Sequence, residues 1–249
     1  MTTRTAAFDR FRRAPGARPL LWGHRGAPRG APENTLEAFE LALARGADGV
    51  ELDVRLSGDG EVVVLHDPDL QRVAGVALSA ARASAEALSR HDLGGGARVP
   101  RLDDALSLVL GRGALVNVEL KSDVPDRDAL VGAVVGRVAA LPQPRRAEVL
   151  LSCFDAAMCR ALRVAVPEVV VALLLSRVPV ALPDLLMELP AVHPRGDRLD
   201  SVAVARLRSA GLLINAWTIN RPAEARRLAE LGVDGLITDD ITALISSLS

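Results

Sequence analysis

Two histidines in the N-terminal part of the chain each follow an apolar, strand-like segment and precede a charged residue. His24 comes before Arg25, and His66 comes before Asp67. An imidazole can take up or release a proton near neutral pH, so such a pair suits general acid–base catalysis. Arg25 could grip a phosphate with two hydrogen bonds, and Asp67 could orient an imidazole or cap the next turn. We predict that His24 and His66 are the catalytic pair.

Carboxylates at alternate positions of two further strand-like segments predict a metal site. Glu51 and Asp53 are two residues apart, so both side chains point to the same face of a strand. Glu119 and Lys121 repeat that spacing on a later segment. Carboxylates on an inward face are costly to bury unless they are paired, and salt bridges to Arg25 and Lys121 would pair them. A divalent cation would also balance these charges, and we favour this alternative. Ligands that are all oxygen select Mg²⁺ or Ca²⁺, with Mn²⁺ as a third candidate.

Further residues are candidates for substrate binding. Glu33 lies in a predicted loop and could contact a metal or a substrate, whereas Asn34 and Thr35 could simply form the N-cap of the next helix. Trp217 ends an apolar run in a chain with 2 tryptophans, 4 phenylalanines and no tyrosine. It could therefore form an apolar wall of a pocket, or plug the top of a barrel. We predict four substrate-binding residues: Arg25, Glu33, Lys121 and Trp217.

The composition excludes several classes of protein. A formal net charge of −1 lacks the basic excess of nucleic-acid-binding proteins. Cys153 and Cys159 show neither zinc-site spacing nor a disulfide pattern. No apolar run approaches the roughly 18 residues that a membrane span needs, and no apolar stretch follows the basic N-terminus as in a secretory signal. We predict a cytoplasmic protein with a small-molecule substrate, no nucleic-acid partner and no stable membrane insertion, and we leave the oligomeric state open.

Short apolar runs alternate with stretches of helical period along the 249 residues. Strands are predicted at 20–24, 48–55, 61–66, 114–120, 147–151, 169–175, 189–193, 212–217 and 234–237. Helices are predicted at 35–45, 102–110, 126–140, 155–164, 201–209, 221–230 and 239–248. This alternation indicates a parallel sheet covered by helices.

Nine predicted strands are one more than an eight-stranded barrel needs, and a hairpin accounts for the extra strand. A short Asp-Gly link joins 48–55 to 61–66, which is a hairpin signal and leaves no room for a helical crossover. Eight parallel strands then remain. We therefore predict an α/β fold, a (β/α)8 TIM-type barrel with a short insertion after the third strand segment. An open doubly wound sheet is the second choice, but no Gly-x-Gly-x-x-Gly follows the first strand.

The chain divides into a short leader and one domain. Residues 1–18 are predicted to form a flexible polar leader, and residues 19–249 a single barrel domain. Residues 69–100 are rich in Ala, Ser, Arg and Gly. We predict that they form a small insertion beside the candidate site.

The ordered set of motifs resembles the glycerophosphodiester phosphodiesterase family, in its cytoplasmic bacterial type. The resemblance runs from residue 20 to about residue 240. Its motifs are His24-Arg25-Gly26, Pro32-Glu33-Asn34-Thr35, Glu51-Leu52-Asp53-Val54, His66-Asp67, Glu119-Leu120-Lys121, Trp217-Thr218-Ile219-Asn220 and Asp234-Gly235-Leu236-Ile237-Thr238-Asp239. The stretch Ser152-Cys153-Phe154-Asp155 resembles a family Ser-Phe-Asp with one residue inserted.

The resemblance implies a (β/α)8 barrel hydrolase of lipid and glycerol metabolism that converts glycerophosphodiesters to sn-glycerol 3-phosphate and an alcohol. Its residue roles carry over as ligation of one divalent cation by Glu51, Asp53 and Glu119, acid–base catalysis by His24 and His66, phosphate contacts from Arg25 and Lys121, and a metal or glycerol contact from Glu33. Which histidine is the acid stays open. The nucleophile, water or the glycerol 2-hydroxyl, stays open as well.

Two alternatives to this function are kept. A lysophospholipase D-type phosphodiesterase would act on acyl-bearing substrates and would favour an apolar rim, whereas residues 69–100 are not notably apolar. A non-catalytic phosphodiester-binding module would be expected to have lost a catalytic histidine or a metal-binding carboxylate. All five of these residues are present: His24, His66, Glu51, Asp53 and Glu119. We therefore favour an enzyme acting on small water-soluble diesters.

Overall fold

Nine strands form one sheet that closes on itself in the computed structural model, which describes residues 6–179, 186 and 188–248. Their order is β1-β9-β8-β7-β6-β5-β4-β2-β3, and an additional pairing of β1 with β2 completes the barrel. The strands are β1 Leu20–His24, β2 Gly49–Leu56, β3 Val62–Val64, β4 Leu115–Leu120, β5 Val149–Cys153, β6 Val170–Leu175, β7 Ala191–Pro194, β8 Leu213–Ala216 and β9 Gly235–Thr238. The predicted (β/α)8 barrel is confirmed.

The surplus strand folds as the hairpin signal predicts. β3 pairs antiparallel with β2, with Val64 opposite Val54, and all the other pairings are parallel. The predicted strand at 61–66 is shorter in the structure, because only Val62–Val64 pairs regularly before the chain turns into the site. Eight parallel strands therefore form the barrel wall, and the hairpin extends it on one side.

Helices connect and cover the parallel strands. They are α1 Ala6–Phe11, α2 Leu36–Ala44, α3 Gln71–Ala74, α4 Ala85–Ser89, α5 Leu102–Gly111, α6 Arg127–Ala140, α7 Gln143–Arg146, α8 Ala156–Ala165, α9 Ser201–Ser209, α10 Pro222–Leu231 and α11 Ile241–Ile245. A short 3₁₀ turn spans Gly196–Arg198. The insertion at 69–100 contains α3 and α4, and its Leu70 and Leu88 pack in a small apolar cluster that also includes Val63 of β3. None of the described helices is both long and apolar enough to cross a bilayer.

Strand alternation decides which side chains face the helices and which face the lumen. On β2, Val50, Leu52 and Val54 are fully buried in the large core between sheet and helices. Glu51 and Asp53 point the opposite way, into the barrel. The same alternation applies to the other strands, so the apolar core lies outside the barrel wall and polar groups accumulate at one end of its interior.

The start of the chain packs against the barrel. Residues 6–11 lie in the segment that was expected to be a flexible leader, yet they form α1, with Phe8 and Phe11 buried. The Phe11 ring stacks on Trp22 at a centroid distance of 5.9 Å. Trp22 belongs to the apolar cluster inside the barrel, so α1 covers the apolar lumen. The two phenylalanines are one helical turn apart, a spacing that indicates an apolar helix face, although the composition of the segment is mostly polar.

Candidate active site

A pocket opens where the strands end, at the carboxyl face of the barrel. Its volume is about 220 Å³. Loops that follow parallel strands meet at this face, which is where (β/α)8 barrels carry their active sites. The lining residues include seven of the nine predicted site residues: His24, Arg25, Glu51, His66, Glu119, Lys121 and Trp217. The other two, Glu33 and Asp53, contact residues of this lining, because Glu33 accepts from Arg25 and Asp53 pairs with Lys121.

Each pocket histidine is held by a carboxylate on its Nδ1 atom. His24 Nδ1 lies 2.6 Å from Asp239 Oδ1, and His66 Nδ1 lies 2.6 Å from Asp67 Oδ1. A carboxylate on Nδ1 favours the tautomer in which that nitrogen carries hydrogen, which leaves Nε2 available for proton transfer. Both imidazoles of the pocket are therefore held in the tautomer that leaves Nε2 free to exchange a proton.

The two histidines differ in electrostatic environment. Burial lowers the pKa of His24, but the hydrogen bond that His24 donates to Asp239 and the charge of Glu51 outweigh burial and raise the pKa above its ordinary value. Burial also lowers the pKa of His66, and there the charge of Asp53 is too weak to compensate. In the protein alone, His24 therefore holds its proton to higher pH than His66.

Three carboxylates form the predicted acidic group at the wall of the pocket. Glu51, Asp53 and Glu119 offer ligand atoms that all lie within 4.8 Å of one another, and all three side chains are buried. Glu51 Oε1 has no hydrogen-bond partner among the described residues. A buried anionic oxygen without a partner is costly, and a hard cation is the partner that an all-oxygen set selects. The three residues therefore fit a divalent cation, whose identity they leave open.

The protonation of these carboxylates follows from the same crowding. Burial and the nearby charge of Asp53 raise the pKa of Glu51 to about 8. Burial alone would raise the pKa of Asp53, but the charges of Lys121 and Arg25 lower it to about 2. Burial, followed by the charge of Asp53, also raises the pKa of Glu119. In the protein alone, the crowding therefore favours the protonated form of Glu51 at neutral pH and the ionised form of Asp53.

Arg25 and Lys121 are the cations that border this acidic group. Lys121 Nζ lies 2.7 Å from Glu119 Oε1 and 3.3 Å from Asp53 Oδ1. Arg25 Nε lies 3.3 Å from Asp53 Oδ2. The Arg25 backbone N–H donates to Glu51 Oε2 at 3.0 Å, from a residue with a φ of 55°. Such a left-handed backbone is uncommon outside glycine and often marks a functional turn.

Asn34 positions one of the carboxylates, and Thr35 caps the helix. Asn34 Nδ2 donates to Asp53 Oδ2 at 2.8 Å, and its Oδ1 accepts the backbone N–H of Asp53. Asn34 has a φ of 58°, a conformation that asparagine tolerates better than most residues. Thr35 Oγ1 accepts the Ala38 N–H at 3.2 Å as the N-cap of α2. Of the two readings that the sequence left open, Thr35 is the cap and Asn34 is a support of the site.

Glu33, which the resemblance suggests as a metal or glycerol contact, is held by two arginines. Its carboxylate accepts from Arg25 Nη1 at 2.9 Å and from Arg72, whose Nη1 and Nη2 donate at 2.9 and 2.7 Å. Arg72 Nε also donates to Asp67 Oδ2 at 2.5 Å. Arg72 belongs to α3, so the insertion links the Glu33 loop to the carboxylate that holds His66. The role of Glu33 in binding stays a prediction.

An aromatic pair forms the apolar side of the pocket. Trp217 and Phe154 make an edge-to-face contact with centroids 5.5 Å apart. Trp217 Nε1 donates to the carbonyl of His193 at 2.7 Å, which fixes the indole. Phe154 is 42% exposed, a high value for a phenylalanine. Trp217 therefore lines the pocket, which is one of the two alternatives predicted, and its partner is Phe154, to which the sequence assigned no role.

Asp239 is the site residue that sequence reasoning missed. The sequence placed Asp239 in a motif of the resemblance without assigning it a role in the site, and the cap of α11 is Asp240, which accepts the Ala243 N–H. Asp239 Oδ2 instead accepts from Asn220 Nδ2 at 2.6 Å, while Oδ1 faces His24. The signal was available in the topology, because closing the barrel pairs β9 with β1 and brings their ends together.

The arrangement defines a class of protein. The carboxyl face of this (β/α)8 barrel combines two carboxylate-held imidazoles, a buried acidic group suited to a cation, and two cationic side chains for an anionic substrate. Such a set is equipped to hydrolyse phosphate esters. Similarity to known proteins then narrows the class. The sequence matches the family model described as Glycerophosphoryl diester phosphodiesterase family over residues 24–243.

Individual relatives agree with the family model. The chain is 30% identical over 236 residues to a glycerophosphodiester phosphodiesterase of Caldanaerobacter subterraneus, covering 91% of this chain and 96% of that protein. A crystal structure from Silicibacter pomeroyi matches with a TM-score of 0.87 and 28% identity, covering 98% of this chain and 97% of the other. An Oleispira antarctica phosphodiesterase in complex with the product sn-glycerol-3-phosphate matches with a TM-score of 0.83 and 26% identity, covering 92% and 96%. The chain belongs to the glycerophosphoryl diester phosphodiesterase family, and the predicted enzyme class is confirmed.

Proposed function

We propose that this chain hydrolyses glycerophosphodiesters to sn-glycerol 3-phosphate and an alcohol, in a cation-dependent reaction with histidine acid–base catalysis. The observation that carries the proposal is the pair of carboxylate-held imidazoles facing the same pocket as a buried acidic group. The product bound in the Oleispira antarctica relative supports glycerol 3-phosphate as the product here.

The residues of the chain divide the work by charge. Glu51, Asp53 and Glu119 would hold the cation, which when bound supplies positive charge for the nonbridging phosphate oxygens. Arg25 and Lys121 offer further positive charge at the rim of that group. Because a phosphodiester carries one negative charge and gains more in the transition state, these donors would bind it more tightly as the reaction proceeds.

His24 and His66 would move the protons. One imidazole Nε2 accepts the proton of the nucleophile as its oxygen bonds to phosphorus. Water as the nucleophile gives glycerol 3-phosphate directly, whereas the glycerol 2-hydroxyl gives a cyclic phosphate that water opens in a second step. The other Nε2 donates its proton to the departing alcohol oxygen as the phosphorus–oxygen bond breaks. One histidine must be neutral and the other protonated at the start, so the rate should show a bell-shaped dependence on pH.

The test is release of glycerol 3-phosphate from glycerophosphocholine and glycerophosphoethanolamine, after EDTA treatment and then with Mg²⁺, Ca²⁺ or Mn²⁺. We expect release to need a cation and to disappear in His24→Ala. His91→Ala is the matched control, because His91 lies in the insertion outside the residues that line the pocket. Release from lysophosphatidylcholine but from neither small diester would instead favour the lysophospholipase D-type alternative. Binding without release of product would favour the non-catalytic module.

A further inference from the structure

Asn117 forms part of the floor of the pocket. It lies on β4 two residues before Glu119, so both side chains face the lumen, with Asn117 one step deeper in the barrel. In the sheet register it is paired with Glu51 on β2. Asn117 is 1% exposed, yet it is one of the residues that line the pocket. A ligand that reaches the floor would therefore meet this side chain.

The amide of Asn117 is held in one orientation from behind. Ser152 Oγ, on the neighbouring strand β5, donates to Asn117 Oδ1 at 2.9 Å, and Ser152 is fully buried. The amide nitrogen, Nδ2, has no hydrogen-bond partner among the described residues. Buried polar groups are nearly always paired, so an amide N–H₂ left unpaired in a pocket wall indicates a partner that is not part of the protein.

The charges around the pocket indicate which kind of partner this is. An amide N–H₂ donates, so it recognises an oxygen that accepts. Lys121 lies two residues beyond Glu119 towards the mouth, and Arg25 follows the end of β1, so both cations stand above the floor. The charges of Lys121 and Arg25 therefore favour binding of a phosphate at that higher level. At the level of Asn117 the neighbours in the sheet register are Glu51 on β2 and the apolar Leu150 on β5, so a neutral hydroxyl, which accepts from the amide and can donate to a carboxylate, fits this level better than a phosphate.

We infer that Asn117 is a specificity-determining residue whose Nδ2 donates a hydrogen bond to a hydroxyl oxygen of the glycerol moiety, with Ser152 as the residue that orients the amide. The inference rests on the proposed function, because it takes a glycerol phosphate as the ligand. It gives a role to Ser152, which the resemblance to the family Ser-Phe-Asp, with its one inserted residue, did not assign. It also explains how the site could distinguish a glycerol ester from an alkyl ester of the same length.

The test compares two ligands that differ only in their hydroxyl groups. Calorimetry with saturating Mg²⁺ would measure the binding of sn-glycerol 3-phosphate and of propyl phosphate to the wild type and to two variants. We expect Asn117→Leu to weaken glycerol 3-phosphate binding about tenfold, the usual value of one hydrogen bond, while propyl phosphate binding changes less than twofold. Ser152→Ala, which removes only the orienting hydroxyl, should reduce the same preference about threefold.

Other outcomes overturn the inference in distinguishable ways. If Asn117→Leu keeps the preference for glycerol 3-phosphate, or weakens both ligands equally, Asn117 does not recognise the hydroxyl, whatever the variant does to stability. Ser152→Ala keeps the inference testable if Asn117→Leu fails to fold. If the wild type binds glycerol 3-phosphate and releases it from glycerophosphocholine, only the inference is at stake. If the wild type does neither, the proposed function fails first.

Discussion

The Asp239→Asn substitution isolates the carboxylate behind His24, because it changes the charge and keeps the shape of the side chain. Asp239 Oδ1 lies 2.6 Å from His24 Nδ1, and Oδ2 accepts from Asn220 Nδ2 at 2.6 Å. The Asn220 amide nitrogen can only donate. In the variant, the new amide oxygen should therefore face Asn220, and the new N–H₂ group should face His24. The imidazole would then have to accept at Nδ1, which moves its hydrogen to Nε2.

The magnitude follows from what the tautomer change removes. A positioned general acid or base contributes about 10²- to 10⁴-fold to a rate, so we expect kcat to fall by that factor, or about 3–5 kcal/mol in activation free energy. Asp239 also raises the pKa of His24 through its hydrogen bond. Without it, the pKa of His24 should fall, and the limb of the pH–rate profile that His24 controls should move to lower pH. An alkaline limb that moves identifies His24 as the acid, and an acidic limb that moves identifies it as the base.

The assay is kcat and kcat/KM for glycerophosphocholine across the pH profile at saturating cation. Asp67→Asn is the parallel perturbation, because Arg72 Nε donates to Asp67 Oδ2 as Asn220 does to Asp239. It should move the opposite limb. Asp240→Asn is the matched control, since Asp240 is the neighbouring carboxylate but serves as a helix cap, a position that asparagine fills nearly as well.

A small effect would refute this reasoning. If Asp239→Asn lowers kcat less than about fivefold and leaves both limbs in place, the carboxylate does not set the tautomer of His24. A loss equal to that of Asp240→Asn would point to the loop rather than to the imidazole. Thermal unfolding of the three variants separates either result from a general loss of stability.

Three further predictions concern stability and the cation. Burial lowers the pKa of His193 to about 3, so its stabilising contribution is complete above the ordinary pKa of 6.5 and is lost as the pH falls. Between pH 7.5 and 5 the wild type should lose about 2 kcal/mol more than His193→Gln in urea unfolding, and parallel curves would contradict this. Phe11→Ala should cost about 3 kcal/mol of unfolding free energy in the same assay, because Phe11 is 0% exposed, whereas Phe154→Ala, at 42% exposed, should cost less than about 1 kcal/mol. Asn34→Gly tolerates the φ of 58° but removes both hydrogen bonds to Asp53, so Mn²⁺ should bind roughly tenfold more weakly in calorimetry. Unchanged Mn²⁺ affinity would show that Asp53 needs no such support.

Local patterns carried most of the fold and the chemical identity of the site. Strand alternation alone put Glu51 and Asp53 on the inward face, and the structure places both there. The Asp-Gly link alone predicted the antiparallel hairpin of β2 and β3. These predictions succeed because the period of a strand and the length of a turn are properties of adjacent residues, whatever the rest of the chain does.

The supports of the site were decided by tertiary structure. His24 and Asp239 are 215 residues apart and meet only because β9 closes the barrel onto β1. Arg72 reaches the site only because the insertion folds back over it. Phe11 is buried only because the barrel offers Trp22 to stack on. The sequence by itself determined which residues could act and the face of the strand each occupies, since periodicity governs one element at a time. Which partner holds each of them was settled by closure of the sheet, which brings distant strand ends within hydrogen-bond distance.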